Sequence, residues 1–134
     1  MNKVVARYAN GTIVKGSSIN VDVAKPTIHV RTADGKTVEV RLAGLKALFF
    51  VKTLEGDAAH NEAMNAAPGD SRGRGSHLLD MRFRDGERLV AFANRYPPTG
   101  PFFFVVPVDT RSNNIRILVN RAEVVSIDKV GQAA

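Results

Sequence analysis

Five cations are the candidates for chemistry in this chain: Lys25, Arg31, Lys46, Arg72 and Arg74. Lysine and arginine gain affinity for phosphates by releasing condensed counterions, so these residues are the expected contacts for a nucleic acid or another anion. Catalysis has less to draw on. Of the three histidines, His29 falls on the outer side of an alternating stretch, and His60 and His77 fall in or beside a linker. None has a carboxylate or a second histidine at metal-ligand spacing, because Glu62, two residues after His60, would face a different side of a helix. No G-x-S-x-G, P-loop or G-x-G-x-x-G follows an expected strand. Cysteine is absent, which removes disulfides, thiolate ligands and thiol nucleophiles and fits a reducing cytoplasm. The expectation is a protein without catalytic residues, metal or cofactor.

The 134 residues carry a formal charge of +6, and its distribution says more than its sum. Residues 1–56 hold nine Lys and Arg against four Asp and Glu, residues 57–76 two against three, and residues 77–134 eight against six. Even in the first stretch the charges come singly, as on the solvent face of a strand. With 44% hydrophobic residues the chain is long enough to bury a core. The N-terminal MNKVVARYANG lacks the continuous apolar stretch of a signal peptide, and the run Phe102 to Val108 is too short to span a bilayer. A soluble, cytoplasmic protein with no membrane partner is expected.

Positioning falls to strands. Residues 3–8 stop at Asn10-Gly11, a hairpin signal, and residues 12–19 return with Gly16 in mid-strand, where the missing Cβ allows a sharp bend. Pro26 opens residues 27–32, Asp34-Gly35 turns, and residues 37–42 alternate with Val38, Val40 and Leu42 inward. A short turn, 43–47, leads to a closing strand at 48–52. The order then recurs at 78–83, 87–94, 102–108, 115–119 and 124–130. Gly11 to Pro26 is 26 − 11 = 15 positions and Gly86 to Pro101 is 101 − 86 = 15, which marks an internal duplication. With a turn two residues longer, Leu45 would match Ala122 and Phe50 would match Ile127. Between the copies, Asp57 is placed to cap a short helix over 58–67, and residues 70–76 should be flexible.

Five short strands with a bent, glycine-containing second strand and a short turn before the last resemble the Sm-like small barrel. That resemblance implies RNA contact through Asn20-Val21-Asp22 with Lys25, and through Ala43-Gly44-Leu45-Lys46; the Arg-Gly pair usual in the second loop is absent. It also implies rings built by pairing the fourth strand of one unit with the fifth of the next. The segments KVVARYANGTIVKG, PTIHVRTADG and VEVRLAGLKALFFVKTLEGD, with FRDGE and RSNNIRILVN, are similar to a bacterial domain family of unassigned function, some members of which sit beside PilZ cyclic-di-GMP modules. Arg72 and Arg74 stand ahead of the second copy, as PilZ arginines do, but at another spacing and without the second PilZ motif.

The expected architecture is therefore all-β: two tandem five-stranded Sm-like small β-barrels packed together, 1–56 and 77–134, joined by a linker at 57–76 with a short helix or a flexible tether. Phe102-Phe103-Phe104 should be buried on both faces between them. The expected function is a non-enzymatic binding or regulatory adaptor of the bacterial cytoplasm, working through a protein partner or self-association. Single-stranded nucleic acid, RNA first, is the alternative, and cyclic-di-GMP is the least favoured ligand.

Overall fold

The computed structural model describes residues 2–19, 21–56, 60–66 and 70–131. Stretches that alternate become strands: β1 (Asn2–Tyr8), β2 (Ile13–Ser18), β3 (Thr27–Arg31), β4 (Thr37–Arg41), β5 (Leu45–Val51), β6 (His77–Phe83), β7 (Arg88–Ala93), β8 (Phe102–Pro107), β9 (Asn114–Asn120) and β10 (Val124–Lys129). Three 3₁₀ turns lie at Leu42–Gly44, Ser71–Arg74 and Arg121–Glu123. Among the described residues there is no α-helix, and no helix long and apolar enough to cross a membrane.

The strands do not close into two barrels. They form one open antiparallel sheet of ten, in the order β10-β6-β7-β8-β9-β5-β1-β2-β3-β4. The physical reason lies in β5, whose two edges are both taken, by β1 on one side and β9 on the other. Its sequence LKALFFV is buried at all seven positions, because a strand covered on both faces has no side that must be polar. Leu48 and Phe50 enter one core with Val4, Ala6, Ile28, Val30 and Val40, while Ala47, Phe49 and Val51 enter a second with Leu79, Met81, Ala91, Val105 and Ile117. The sheet thus folds over opposite faces of its centre, with β3 and β4 on one side and β6 and β7 on the other. Leu118 of β9 belongs to the core built mostly from the first five strands.

The strand pairings of β1 to β5 recur in β6 to β10. Tyr8 pairs with Leu45 across a bulge in β1–β5, and Phe83 pairs with Val124 across a bulge in β6–β10. Thr27 pairs with Arg41, and Phe102 with Asn120. Leu45 is therefore equivalent to Val124 and not to Ala122, and Leu48, not Phe50, is equivalent to Ile127. The turn between the third and fourth strands is four residues longer in the second copy, not two. Side-chain alternation cannot detect this error, since a shift of two leaves every residue on the same face.

Two further expectations change. Residues 60–66 form no helix, and residues 58, 59 and 67 of the expected helix lie outside the described residues; Met64 and Ala66 instead pack on a third cluster of Leu78, Val90, Phe92 and Val108. Strand β8 is covered on one face: Phe103 and Val105 are buried, whereas Phe104 and Val106 are 37% and 40% exposed. The Arg116 guanidinium lies 4.5 Å from the Phe104 ring centroid and 4.3 Å from that of Phe50, covering part of this surface.

Candidate binding edge and the side chains around it

Strand β4 ends the sheet, so among the described residues one of its edges has no strand partner. The hydrogen bonds Thr32 N–H to Lys36 O (2.9 Å) and Leu42 N–H to Pro26 O (3.0 Å) bracket its ladder with β3. Antiparallel pairs alternate between bonded and non-bonded, so Val38 and Val40 bond inward to β3, while Thr37, Glu39 and Arg41 turn their backbone N–H and C=O to the open edge. Beside this edge lies a groove of about 430 Å³ whose lining includes Ile19, Lys25, His29, Arg31 and Thr37. The groove exists because β2 and β3 barely pair. Ser17↔Arg31 is their one ladder contact, and there a Cβ on Gly16 would come 2.2 Å from the Arg31 carbonyl oxygen. Only glycine tolerates that approach. Beyond it the chain leaves β2, and Asp22 closes a turn by accepting from Ala24 N–H (2.9 Å), with Lys25 N–H on Asp22 O (3.0 Å). Ile19 is left 74% exposed at the mouth.

Of the cations singled out in the sequence, Lys25 and Arg31 meet in this groove. The others do not. Lys46 is the bulged residue of β5, pushed out of register between Leu45 and Ala47. Its Nζ lies 2.7 Å from Asp85 Oδ2, 3.0 Å from Glu87 Oε1 and 4.8 Å from the centroid of Phe83, and its side chain is 8% exposed. That ammonium holds the Asp85 carboxyl below its ordinary value. Arg72 is a staple: its guanidinium grips Asp70, donates to the Pro107 and Val108 carbonyls (2.8 Å each), and stacks 4.6 Å from the Phe92 centroid. The expected flexible tether is thus a 3₁₀ turn pinned to the end of β8. The side chain of Arg74 and the whole of Asn20 lie outside the described residues.

One cluster escaped the sequence. His60 Nε2 lies 2.7 Å from Asp109 Oδ2 and 3.9 Å from Glu62 Oε1. The three ligand-type atoms fall within 4.8 Å of one another. Because residues 60–66 are not helical, His60 and Glu62 reach the same place, contrary to the helical expectation that had separated them. The H-x-E spacing is the sequence signal, but only for non-helical chain. Asp109, which follows β8, accepts from Ala63 N–H (2.8 Å) and Arg111 N–H (2.8 Å). The Ala63 hydrogen bond, helped by Arg111 and His60, keeps its carboxyl below the ordinary value against the opposing effect of burial.

No curated protein and no solved structure matches this chain. A family model does, over residues 1–131, covering all ten strands, the groove and the His60 cluster. The chain accordingly belongs to the Family of unknown function (DUF6982).

Proposed function

We propose that the chain is a non-enzymatic binding module that takes an extended, acidic segment of a partner protein along the open edge of β4. The observation that carries this reading is the outward backbone of Thr37, Glu39 and Arg41, running beside a groove that holds Lys25 and Arg31. A peptide adding as a strand gains main-chain hydrogen bonds, and pockets beside the edge select its side chains. Residues 22–41 carry Lys25, Arg31, Lys36 and Arg41 against Asp22, Asp34 and Glu39, a surplus of one positive charge that favours an acidic partner. Ile19 offers an apolar contact at the groove mouth.

Head-to-tail pairing of β4 with β10 of a second copy is the competing use of this edge, and the internal β9–β5 joint is its template. There Leu118 of β9, 2% exposed, faces Leu48. The equivalent of Leu118 on β4 is Glu39. On β10, Asp128 and Ser126 stand where β5 has Phe49 and Ala47. A carboxylate in place of a core leucine opposes that joint, since burying an unpaired charge is costly. Charged residues on edge strands are a common guard against self-pairing. For nucleic acid, Lys25 and Arg31 supply charge, but among the described residues His29 is the one aromatic ring lining the groove, with no Phe, Tyr or Trp, and single-strand binders stack successive bases on several such platforms. Arg72, the described member of the pair weighed for cyclic-di-GMP, has its guanidinium engaged by Asp70 and two carbonyls.

The test is selection of a displayed peptide library on the wild-type protein, followed by affinity measurement on Glu39→Pro and on Lys25→Glu/Arg31→Glu. Proline removes one outward N–H and is tolerated on an edge strand. Selected peptides should be acidic and lose binding to both variants. Peptides that bind Glu39→Pro as well as wild type would refute edge addition. A uridine-rich RNA that binds instead, weakens steeply with salt and is lost in the charge-reversal variant would replace it with the nucleic-acid reading.

A further inference from the structure

We propose that His60, Glu62 and Asp109 form a binding site for a divalent transition cation of the zinc type. The donor set is one imidazole and two carboxylates, a combination suited to Zn²⁺. Two ligand atoms about 2.0–2.1 Å from a tetrahedral ion stand about 3.3 Å apart. The separations from His60 Nε2, 2.7 Å to Asp109 Oδ2 and 3.9 Å to Glu62 Oε1, straddle that value, and all three atoms lie within 4.8 Å of one another, so side-chain shifts on the order of 1 Å, chiefly of the partly exposed Glu62, bring them onto one ion. The ion would sit where the His60–Asp109 hydrogen bond now runs, with His60 ligating through Nε2 and the two carboxylates balancing its charge.

Asp109 is already oriented as a ligand's support requires. The backbone N–H groups of Ala63 and Arg111 hold its two oxygens, and hydrogen-bonded carboxylates are the usual way a protein fixes a ligand before metal arrives. The Ala63 bond and the His60–Asp109 hydrogen bond together dock residues 60–63, so a purely structural role accounts for His60 but leaves the Glu62 side chain unexplained. Glu62 is 37% exposed, and its side chain is nonetheless turned toward His60. Beside the cluster is a cavity of about 310 Å³, lined by His60, Glu62, Lys52, Thr53, Arg111 and Asn113. His60 and Glu62 face this space while Asp109 lies buried beside His60, which leaves the site open on one side for water or an exogenous donor to complete the coordination.

This site is distinct from the β4 edge and stands or falls separately. Metal-free full-length protein, titrated with ZnCl₂ by calorimetry, should take up one ion per chain. His60→Ala and Glu62→Gln should each weaken uptake at least tenfold while keeping the wild-type circular dichroism. Glu62→Gln is the decisive variant, because the partly exposed Glu62 supports no packing. Cobalt in place of zinc should give the visible absorption of a tetrahedral nitrogen–oxygen site, and the band should vanish in His60→Ala. Absence of stoichiometric uptake would overturn the proposal. So would uptake unchanged in both variants, or uptake lost instead on replacing His29 or His77.

Discussion

Leu118→Ala tests whether the ten strands are one structure. Leu118 sits on β9 yet is 2% exposed in the core of Val4, Ala6, Leu48 and Phe50. Removing three carbons at about 0.8 kcal/mol each gives about 2.4 kcal/mol. The cavity left behind raises the loss to about 3 kcal/mol. For a domain of this size that lowers Tm by about 10 °C. Amides that exchange by global unfolding should then exchange about 100-fold faster. In a continuous sheet the loss is shared, so hydrogen exchange should quicken together in β1, β3 and β4 and in β6 to β8. If β1, β3 and β4 keep wild-type protection while only β6 to β10 lose it, the shared core is refuted and the two sets of strands fold separately.

Arg72→Ala should cost about 2 kcal/mol in urea denaturation, because two carbonyls and Asp70 lose charge-assisted hydrogen bonds and Phe92 loses its stacked partner; an unchanged midpoint would show that the linker turn is not held by it. Gly16→Ala should destabilise by at least about 2 kcal/mol and loosen the β2–β3 contact, since its Cβ would meet the Arg31 carbonyl at 2.2 Å. Loss of amide protection confined to β2 and β3 would locate the effect. The carboxyls of Asp70, Asp80 and Asp85 are held below their ordinary value of 3.8 chiefly by Arg72, Arg88 and Lys46. A lowered native value means that the unfolded chain binds more protons near pH 4, so this stability is present above that pH and is lost as pH falls through the native values. The urea midpoint should be nearly flat from neutral pH to about 5 and fall below about 4, and Asp85→Asn should make the fall shallower.

Much of the secondary structure was readable because turns and alternation are local. Asn10-Gly11 and Asp85-Gly86 placed the hairpins, and Gly11 and Gly86 take positive φ of 94° and 89°. Lys25 and Arg31 were readable as candidates, and they do share a groove. Lys46 and Arg72 looked the same on paper, yet long-range partners fix them: Asp85 and Glu87 for one, the end of β8 for the other. His60 is not legible as a ligand because its partner Asp109 is 49 residues away and because a helix over 58–67, which residues 60–66 do not form, would separate it from Glu62.

An all-β chain, the places of its strands, a recurring strand order and a basic first half are legible in the residues alone, since each follows from side-chain type and spacing over a few residues. Long-range packing alone settles that β5, with one edge on β1, gives its other edge to β9 and not to β4. A strand's two edges carry the same backbone groups, so no local pattern says which will be taken. That choice merges the expected barrels into one sheet, leaves β4 open beside Lys25 and Arg31, and puts Leu118 of β9 into the core of the opening strands. It was likewise tertiary packing that brought His60 and Glu62 to Asp109, since their convergence depends on where Met64 and Ala66 find apolar surface to cover.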